Sequence, residues 1–369
     1  MGSATVVGAT ALRSGASRRR VAVVEEMRWK APNWSNVITD VASVTWVEGQ
    51  TMRVLLTGAT GFLGRNVLAA LSDKGVEVIA AYRTEPGPTL NAVRWLRADL
   101  TDATETARLV REAKATHLLH LGWRPVYGDV ANSRQNLDWL QYSLRLANQF
   151  VDAGGIRIVG CGTCFEYDWN YGVCREDFTP LAPTTLYGAS KHALHVALEG
   201  LAKQAGIGFG WGRVFFIYGP GEHSSRLVAA VIGALLDNRP AETTHGRQIR
   251  DYLYIKDAAA GIVSLVLSNA TGTFNIATGR VMTLRDMICE IAEQVGRPDL
   301  VRLGARPPQP FEPAIILGDT NKAREILGFE AKTDLKDGIA ATIAAMRDPR
   351  ALTAAAKSPT TALSSHSNS

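Results

Sequence analysis

Short apolar runs alternate with longer amphipathic stretches between Met52 and about Arg347, and this alternation is the clearest structural signal in the chain. Residues 53–56, 76–81, 93–96, 117–121, 156–159 and 209–216 read as strands, the first of them buried. Helices are expected from the Gly-rich turn after the first strand to about Lys74, and over residues 102–113, 136–151 and 184–205. In the third of these, Leu137, Leu140, Leu144, Ala147 and Val151 recur at helical spacing. Strand–helix alternation of this kind predicts an α/β fold: a doubly wound parallel sheet with helices on both faces and right-handed crossovers. Beyond Tyr218 the pattern loosens into short elements separated by Pro and Gly, the mark of a smaller mixed α/β region packed against the sheet edge.

The ends read differently. Residues 1–20 hold Arg13, Arg18, Arg19 and Arg20, no acid, and many small polar residues, a composition shared with organellar targeting peptides. The other reading is a mis-assigned start, since Met52 stands directly before the first strand; either way residues 1–51 are expected outside the fold. Residues 348–369, dominated by Ala, Ser, Thr and Pro, are expected to be a disordered tail. The expected organisation is residues 52–220 as a dinucleotide-binding domain carrying the catalytic residues, and 221–347 as a mainly substrate-binding region.

Composition adds exclusions. Of 369 residues 46% are hydrophobic and 20% charged, as in a globular protein. The net charge is +5 with no dense basic run, so no nucleic-acid partner is expected. No apolar run approaches the roughly 18–20 residues that span a bilayer, so no membrane association is expected. Four cysteines do not make a disulfide framework, which points to a reducing, cytoplasmic setting.

The segment from Val54 to Arg65 places Gly58, Gly61 and Gly64 at G-x-x-G-x-x-G spacing between a strand and a helix. Gly58 permits the tight turn, Gly61 the close approach of backbone to a pyrophosphate, and Gly64 helix–strand packing. The pyrophosphate then meets the positive end of the helix, with Thr60, Phe62 and Leu63 lining the turn. The second strand ends in Tyr82-Arg83 with no acid to bind a ribose 2′-hydroxyl. Arg83 stands where a 2′-phosphate partner belongs and Arg65 could assist, so NADP(H) is favoured over NAD(H); the plain reading of Arg83 is a solvated loop residue.

Tyr187 and Lys191 lie four apart at the start of a helix, on one face. A phenol with a pKa near 10 is a poor acid at neutral pH, and a neighbouring ammonium, joined by the positive charge of an oxidised nicotinamide, lowers that value toward the working range. Reduction of a ketone needs such a donor at the carbonyl oxygen.

These motifs together resemble the extended short-chain dehydrogenase/reductases, in particular the nucleotide-sugar epimerase/dehydratase branch, over about residues 52–345. The resemblance implies a Rossmann-type fold, a homodimer through the helices at 136–151 and 184–205, and a nucleotide-diphosphate sugar as substrate. It implies a hydroxyl partner for Tyr187, the role of Thr163, four before the family's usual aromatic at Tyr167. Asp99-Leu100 matches the adenine edge, His120-Leu121-Gly122 the exit of the fourth strand, Asn136 a further motif position, and Phe215-Phe216 the segment beside the nicotinamide, where Phe216 replaces a frequent Asn. Arg250 matches the residue that binds the diphosphate. Trp123, Arg124 and Tyr127 are expected to shape the sugar pocket, with the aromatic segment 166–171 as its other wall.

The residues beside Thr163 separate the chemistries that share this framework. Cys164-Phe165 replaces the Asp-Glu of a 4,6-dehydratase, and Glu166 comes one place late, which in an extended segment turns it to the opposite face. Cys164 and His223 are out of register for a 3,5-epimerising reductase, with Phe165 and Gly221 at the required places. A 4-ketoreductase acting on an NDP-4-keto-6-deoxyhexose remains the favoured expectation. The alternatives are an NAD-dependent 4-epimerase and a reductase of a small non-sugar carbonyl. Cys161, Cys164 and Cys174 lack a fourth ligand at zinc spacing and read as free thiols, so no metal is expected.

Overall fold

The central sheet is built from β1 (Arg53–Thr57), β2 (Glu77–Tyr82), β3 (Val93–Arg97), β4 (His117–His120), β5 (Arg157–Thr163), β7 (Gly208–Val214) and β12 (Gly272–Ile276). These seven strands are all parallel and lie in the order β12-β7-β5-β4-β1-β2-β3. The structure, a computed structural model, describes residues 51–126, 128–308 and 312–348. The expectations for the two ends and for Tyr127 therefore lie outside the described residues, apart from residues 51 and 348.

Period-two alternation sorts the strand residues between two helical layers. Val54 and Leu56 point into one core with Val67, Leu68 and Leu71 of α1 (Phe62–Asp73) and with Ala258, Ile262 and Val266 of α6 (Ile255–Leu267). Leu55 points to the other side, toward α2 (Ala103–Ala113), α3 (Gln135–Asp152) and α4 (Leu186–Ala205), where Leu109, Leu146, Phe150, Leu194 and Leu198 pack. This is the doubly wound, Rossmann-type arrangement expected from the sequence. Strand order reverses between β1 and β4, so the crevice for a ligand opens beyond their carboxyl ends.

Short strands complete the fold: β6 (Val173–Cys174), β8 (Phe216–Tyr218), β9 (Ala241–Thr243), β10 (Ile249–Arg250), β11 (Tyr252–Tyr254), β13 (Val301–Leu303) and β14 (Ile315–Gly318). They pair as β10-β14-β6, β11-β8 and β13-β9. A third core lies among α5 (Leu227–Leu236), α7 (Leu284–Val295) and α9 (Leu335–Arg347), built on Val228, Ile232, Ile288, Ile291 and Ile339. The remaining helix is α8 (Asn321–Leu327). The chain crosses the expected boundary at 220–221, because β12 returns to the large sheet and α6 covers α1. Among the described residues no helix is long and apolar enough to cross a membrane.

Candidate active site

The Gly-rich turn joins β1 to α1 in a conformation that only glycine suits. Gly58 has φ +72°, and a Cβ there would lie 2.7 Å from the Leu121 carbonyl. A Cβ at Gly64 would lie 1.9 Å from the Gly58 oxygen, so the first turn of α1 packs directly on the loop. Gly61 is the N-cap of α1; no side chain caps that end and its first turn holds no acid. A helix start with its dipole unopposed and its approach kept clear of side chains fits a pyrophosphate. Thr60 and Gly61 are exposed there, while Phe62 and Leu63 also pack toward the third core.

At the end of β2 the Tyr82 ring meets Trp95 edge-on at 6.1 Å, and Arg83 is exposed just beyond. Asp99 follows β3. Burial pushes its carboxyl up, but the Thr101 N–H and hydroxyl, with the Arg83 and Arg97 charges, outweigh that and hold it below its ordinary value. Arg83, Asp99 and Leu100 thus gather at one end of the crevice, and Leu121 hydrogen-bonds across to Thr57 where β4 leaves the sheet. Arg65 does not join them. Its guanidinium donates to the carbonyls of Pro220 at 3.3 Å and Gly221 at 2.7 Å, which turns it toward the loop after β8 and away from β2.

Thr185, two residues before Tyr187, caps α4 by accepting from the Gly188 N–H at 3.1 Å. Gly188 lets that turn approach β5: a Cβ there would be 2.2 Å from the Phe165 oxygen. Tyr187 consequently comes up against Thr163, the last residue of β5, whose side chain favours the ionised phenol. Lys191 is 4% exposed, and its Nζ donates to the Cys161 carbonyl at 2.9 Å. The structure therefore brings together Thr163, Tyr187 and Lys191. Burial, then the Cys161 thiol, push the phenol above its ordinary value, and burial lowers the Lys191 ammonium.

Glu166 explains the set of Thr163. The residues Cys164–Glu166 form a 3-10 turn in which the Thr163 hydroxyl accepts from the Phe165 N–H and the Thr163 N–H donates to Glu166 Oε1 at 2.9 Å. The Glu166 carboxylate then receives Trp211 Nε1 at 3.0 Å and Arg213 Nε at 2.8 Å from β7. Its side chain is fully buried on the Gly162 face of the strand, turned away from the Thr163 hydroxyl.

An aromatic wall lines the same end of the sheet. The Phe165 ring lies 5.8 Å from Tyr187, 4.7 Å from Trp169 and 6.0 Å from Phe216. β8 and β11 pair with Phe216 opposite Tyr252, and their rings lie 5.5 Å apart. The sequence reading misses Phe165 and Tyr252 as parts of this wall; the alternation Tyr252-Leu253-Tyr254 around a buried Leu253 was the available signal. Trp123 reaches Tyr187 edge-on at 6.3 Å, and Arg124 is exposed on the loop beyond it.

Three expected ligand residues are buried among protein partners. Tyr167 is 1% exposed; its hydroxyl donates to Asn275 Oδ1 at 2.7 Å and accepts from Arg213 at 3.1 Å, so it belongs to the core behind the site. The 3-10 turn is the reason, since it breaks the alternation that would have put residue 167 on the face of 163. The Phe215 ring is buried in a cluster with Cys164, Cys174 and Ile316. Arg250 lies at the end of β10, 5% exposed, where it donates to the Ile249 carbonyl and to Glu312 at 3.2 Å. A diphosphate there would share or displace Glu312, which is also held by Gln248 at 2.6 Å.

Glu166, His192 and His195 bring potential ligand atoms within 4.8 Å of one another. The Arg213 guanidinium already occupies that space, at 2.8 Å from the carboxylate and 3.4 Å from His195 Nδ1, and repels a metal cation. The four cysteines are free thiols.

The fold and this crevice define a dinucleotide-dependent enzyme with a Tyr–Lys pair. Residues 54–277, more than half of the chain, match the NAD dependent epimerase/dehydratase family, and the chain belongs to it. Members of this family are enzymes that act on nucleotide sugars. UDP-glucose 4-epimerase of Azospirillum brasilense is 26% identical over 324 residues, covering 78% of this chain and 89% of that protein. The dTDP-6-deoxy-L-talose 4-dehydrogenase (NAD(+)) of Aggregatibacter actinomycetemcomitans is 26% identical over 249 residues, covering 66% and 90%. Among solved structures, UDP-glucose 4-epimerase of Thermus thermophilus in complex with NAD has a TM-score of 0.72 at 25% identity, covering 80% of this chain and 99% of that one. MoeE5 in complex with UDP-glucuronic acid and NAD has a TM-score of 0.69 at 28% identity, with the same coverage.

Proposed function

We propose that this enzyme reduces the C4 ketone of an NDP-4-keto-6-deoxyhexose with NADPH. The observation that carries the reading is the composition of the catalytic end: Tyr187 adjoins Thr163, Lys191 lies one helical turn on, and the nearby acid, Glu166, is buried against Arg213. That set can move one proton at one oxygen and lacks the further acid and base that eliminating water requires. The bound dinucleotide supplies the hydride, and in its oxidised form a positive ring charge. Tyr187 donates its phenolic proton to the C4 oxygen, Thr163 orients that oxygen, and Lys191 holds the ribose beside them. Gly58 and the start of α1 hold the pyrophosphate, with Asp99 and Leu100 at the adenine end.

Arg83, exposed at the end of β2 in the place of a ribose-binding acid, supports NADP(H). Arg250 supports a diphosphate. Trp123, Arg124, Phe216 and the Phe165 ring offer a largely aromatic surface to a sugar that lacks a 6-hydroxyl. The exposed Leu137 on α3 and Val196 on α4 support a homodimer through these helices, and four free thiols support a cytoplasmic setting. The second reading, an NAD-dependent 4-epimerase, draws on the relatives that carry that activity with NAD.

The test supplies NDP-4-keto-6-deoxyhexoses and the parent NDP-hexoses with NADPH, NADH or NAD, and reads product configuration by NMR. NADPH oxidation confined to the keto sugars supports the reductase. Interconversion of C4 epimers without net oxidation of cofactor overturns it in favour of the epimerase.

A further inference from the structure

The Lys191 ammonium is buried with an aromatic face for a neighbour. Its Nζ lies 4.1 Å from the centroid of the Trp123 indole. The indole is itself fixed: its Nε1–H donates to Asn136 Oδ1 at 3.0 Å, and Asn136 Nδ2 donates to the carbonyls of Val130 and Ser133, each at 3.0 Å. Trp139 packs beside it at 6.5 Å, and the Tyr187 ring stands edge-on at 6.3 Å.

We propose that Trp123 is a positioning residue for the acid–base pair, its indole face seating the Lys191 ammonium against the Cys161 carbonyl, one helical turn from Tyr187. This inference rests on the reading of Tyr187 and Lys191 as that pair. A buried ammonium needs compensation for its lost hydration. The nearest carboxylate, Glu166, is committed to Arg213 at 2.8 Å. The groups that face Lys191 are the Cys161 thiol and Glu166 carboxylate, which favour its charge, the His120 imidazole on β4, and the Tyr187 phenol on its own helix. An indole face favours the charged amine by roughly 2- to 30-fold. Held this way, the ammonium cannot swing away from the ribose it is to bind, and the seat is built from a residue outside the Tyr–Lys motif.

The test measures binding of NADP⁺ and of NAD⁺ to the full chain by calorimetry from pH 6 to pH 10, with turnover alongside. The wild-type protein is expected to bind less tightly as pH rises through the Lys191 ionisation, and Lys191→Met to lose that dependence. In Trp123→Leu the onset should move down by about 0.3 to 1.5 pH units, and kcat should fall about 3- to 30-fold with a smaller change in KM. Trp123→Phe, which keeps a ring face, should restore the onset toward wild type. Trp123→Met fills the site without a π face and is the second variant should Trp123→Leu fail to fold. An unmoved onset in the aliphatic variants, or a defect confined to KM, overturns the inference. A pH dependence that persists in Lys191→Met overturns the assignment of Lys191 and the inference with it.

Discussion

Glu166 and Arg213 form an ion pair at 2.8 Å in which both side chains are shut off from solvent. The same carboxylate receives the Thr163 N–H, so the pair fixes the hydroxyl-bearing end of β5 to β7. Removing one partner leaves a buried charge uncompensated, typically at a cost of about 3–5 kcal/mol. Glu166→Gln should therefore lower the urea midpoint with an unchanged m-value, and Glu166→Gln/Arg213→Met should recover part of the loss. A single variant with wild-type stability would show that the pair is solvated in solution.

Tyr187→Phe should lower kcat by about two to four orders of magnitude while cofactor affinity stays close to wild type. Thr163→Val removes the hydroxyl that meets the phenol and should cost less, because the proton donor remains. Single-turnover NADPH oxidation measures both; near-normal turnover in Tyr187→Phe would exclude the phenol as donor.

Arg83→Ala should reduce the preference for NADPH over NADH by about 10- to 100-fold, the range of a charge-assisted hydrogen bond to phosphate. The ratio of kcat/KM for the two cofactors is the measurement. Equal use of both by the wild-type enzyme would remove Arg83 from cofactor choice.

Arg250→Ala should raise KM for the nucleotide sugar about tenfold or more and change kcat much less, since a diphosphate contact is made equally before and during the reaction. Inhibition by a free nucleoside diphosphate should weaken in parallel. An unchanged KM would mean that Glu312, at 3.2 Å, keeps the guanidinium for itself.

Three buried imidazoles set the acid limb of stability. Burial holds His117 at about 4 and His120 and His195 at about 3, well below their ordinary value. The folded state refuses protons that the unfolded chain accepts below about pH 6.5, so stability is full above that pH and falls as pH drops toward 3. Each such group contributes a slope of about 1.4 kcal/mol per pH unit within its window. Urea unfolding between pH 7.5 and pH 4.5 should show this decline, and His120→Asn should flatten it.

The large sheet is legible in the sequence because its strands are short apolar runs separated by helices with clear periodicity. Strand β5 runs four residues beyond its expected end, since Gly160-Cys161-Gly162 looks like a turn. Those glycines instead make room for Trp211, whose ring a Cβ at either position would strike at 2.2 Å. Thr163, Tyr187 and Lys191 are readable from spacing and motif. Glu166 is expected on the far face by strand alternation and reaches it through the 3-10 turn, the same turn that buries Tyr167. Phe165 and Tyr252 are hard to read because their roles depend on the pairing of β8 with β11 and on the close approach of α4, long-range contacts of which the alternation at 252–254 is the one local trace.

The return of β12 to the sheet has a practical meaning for any attempt to isolate the nucleotide-binding half. Strand β7 is buried along its whole length and bonds β12 from Gly210 to Val214. A chain cut after residue 220 would expose that ladder as a bare margin ready to recruit another copy. Excision should therefore yield aggregates, and the intact polypeptide should melt as one cooperative body.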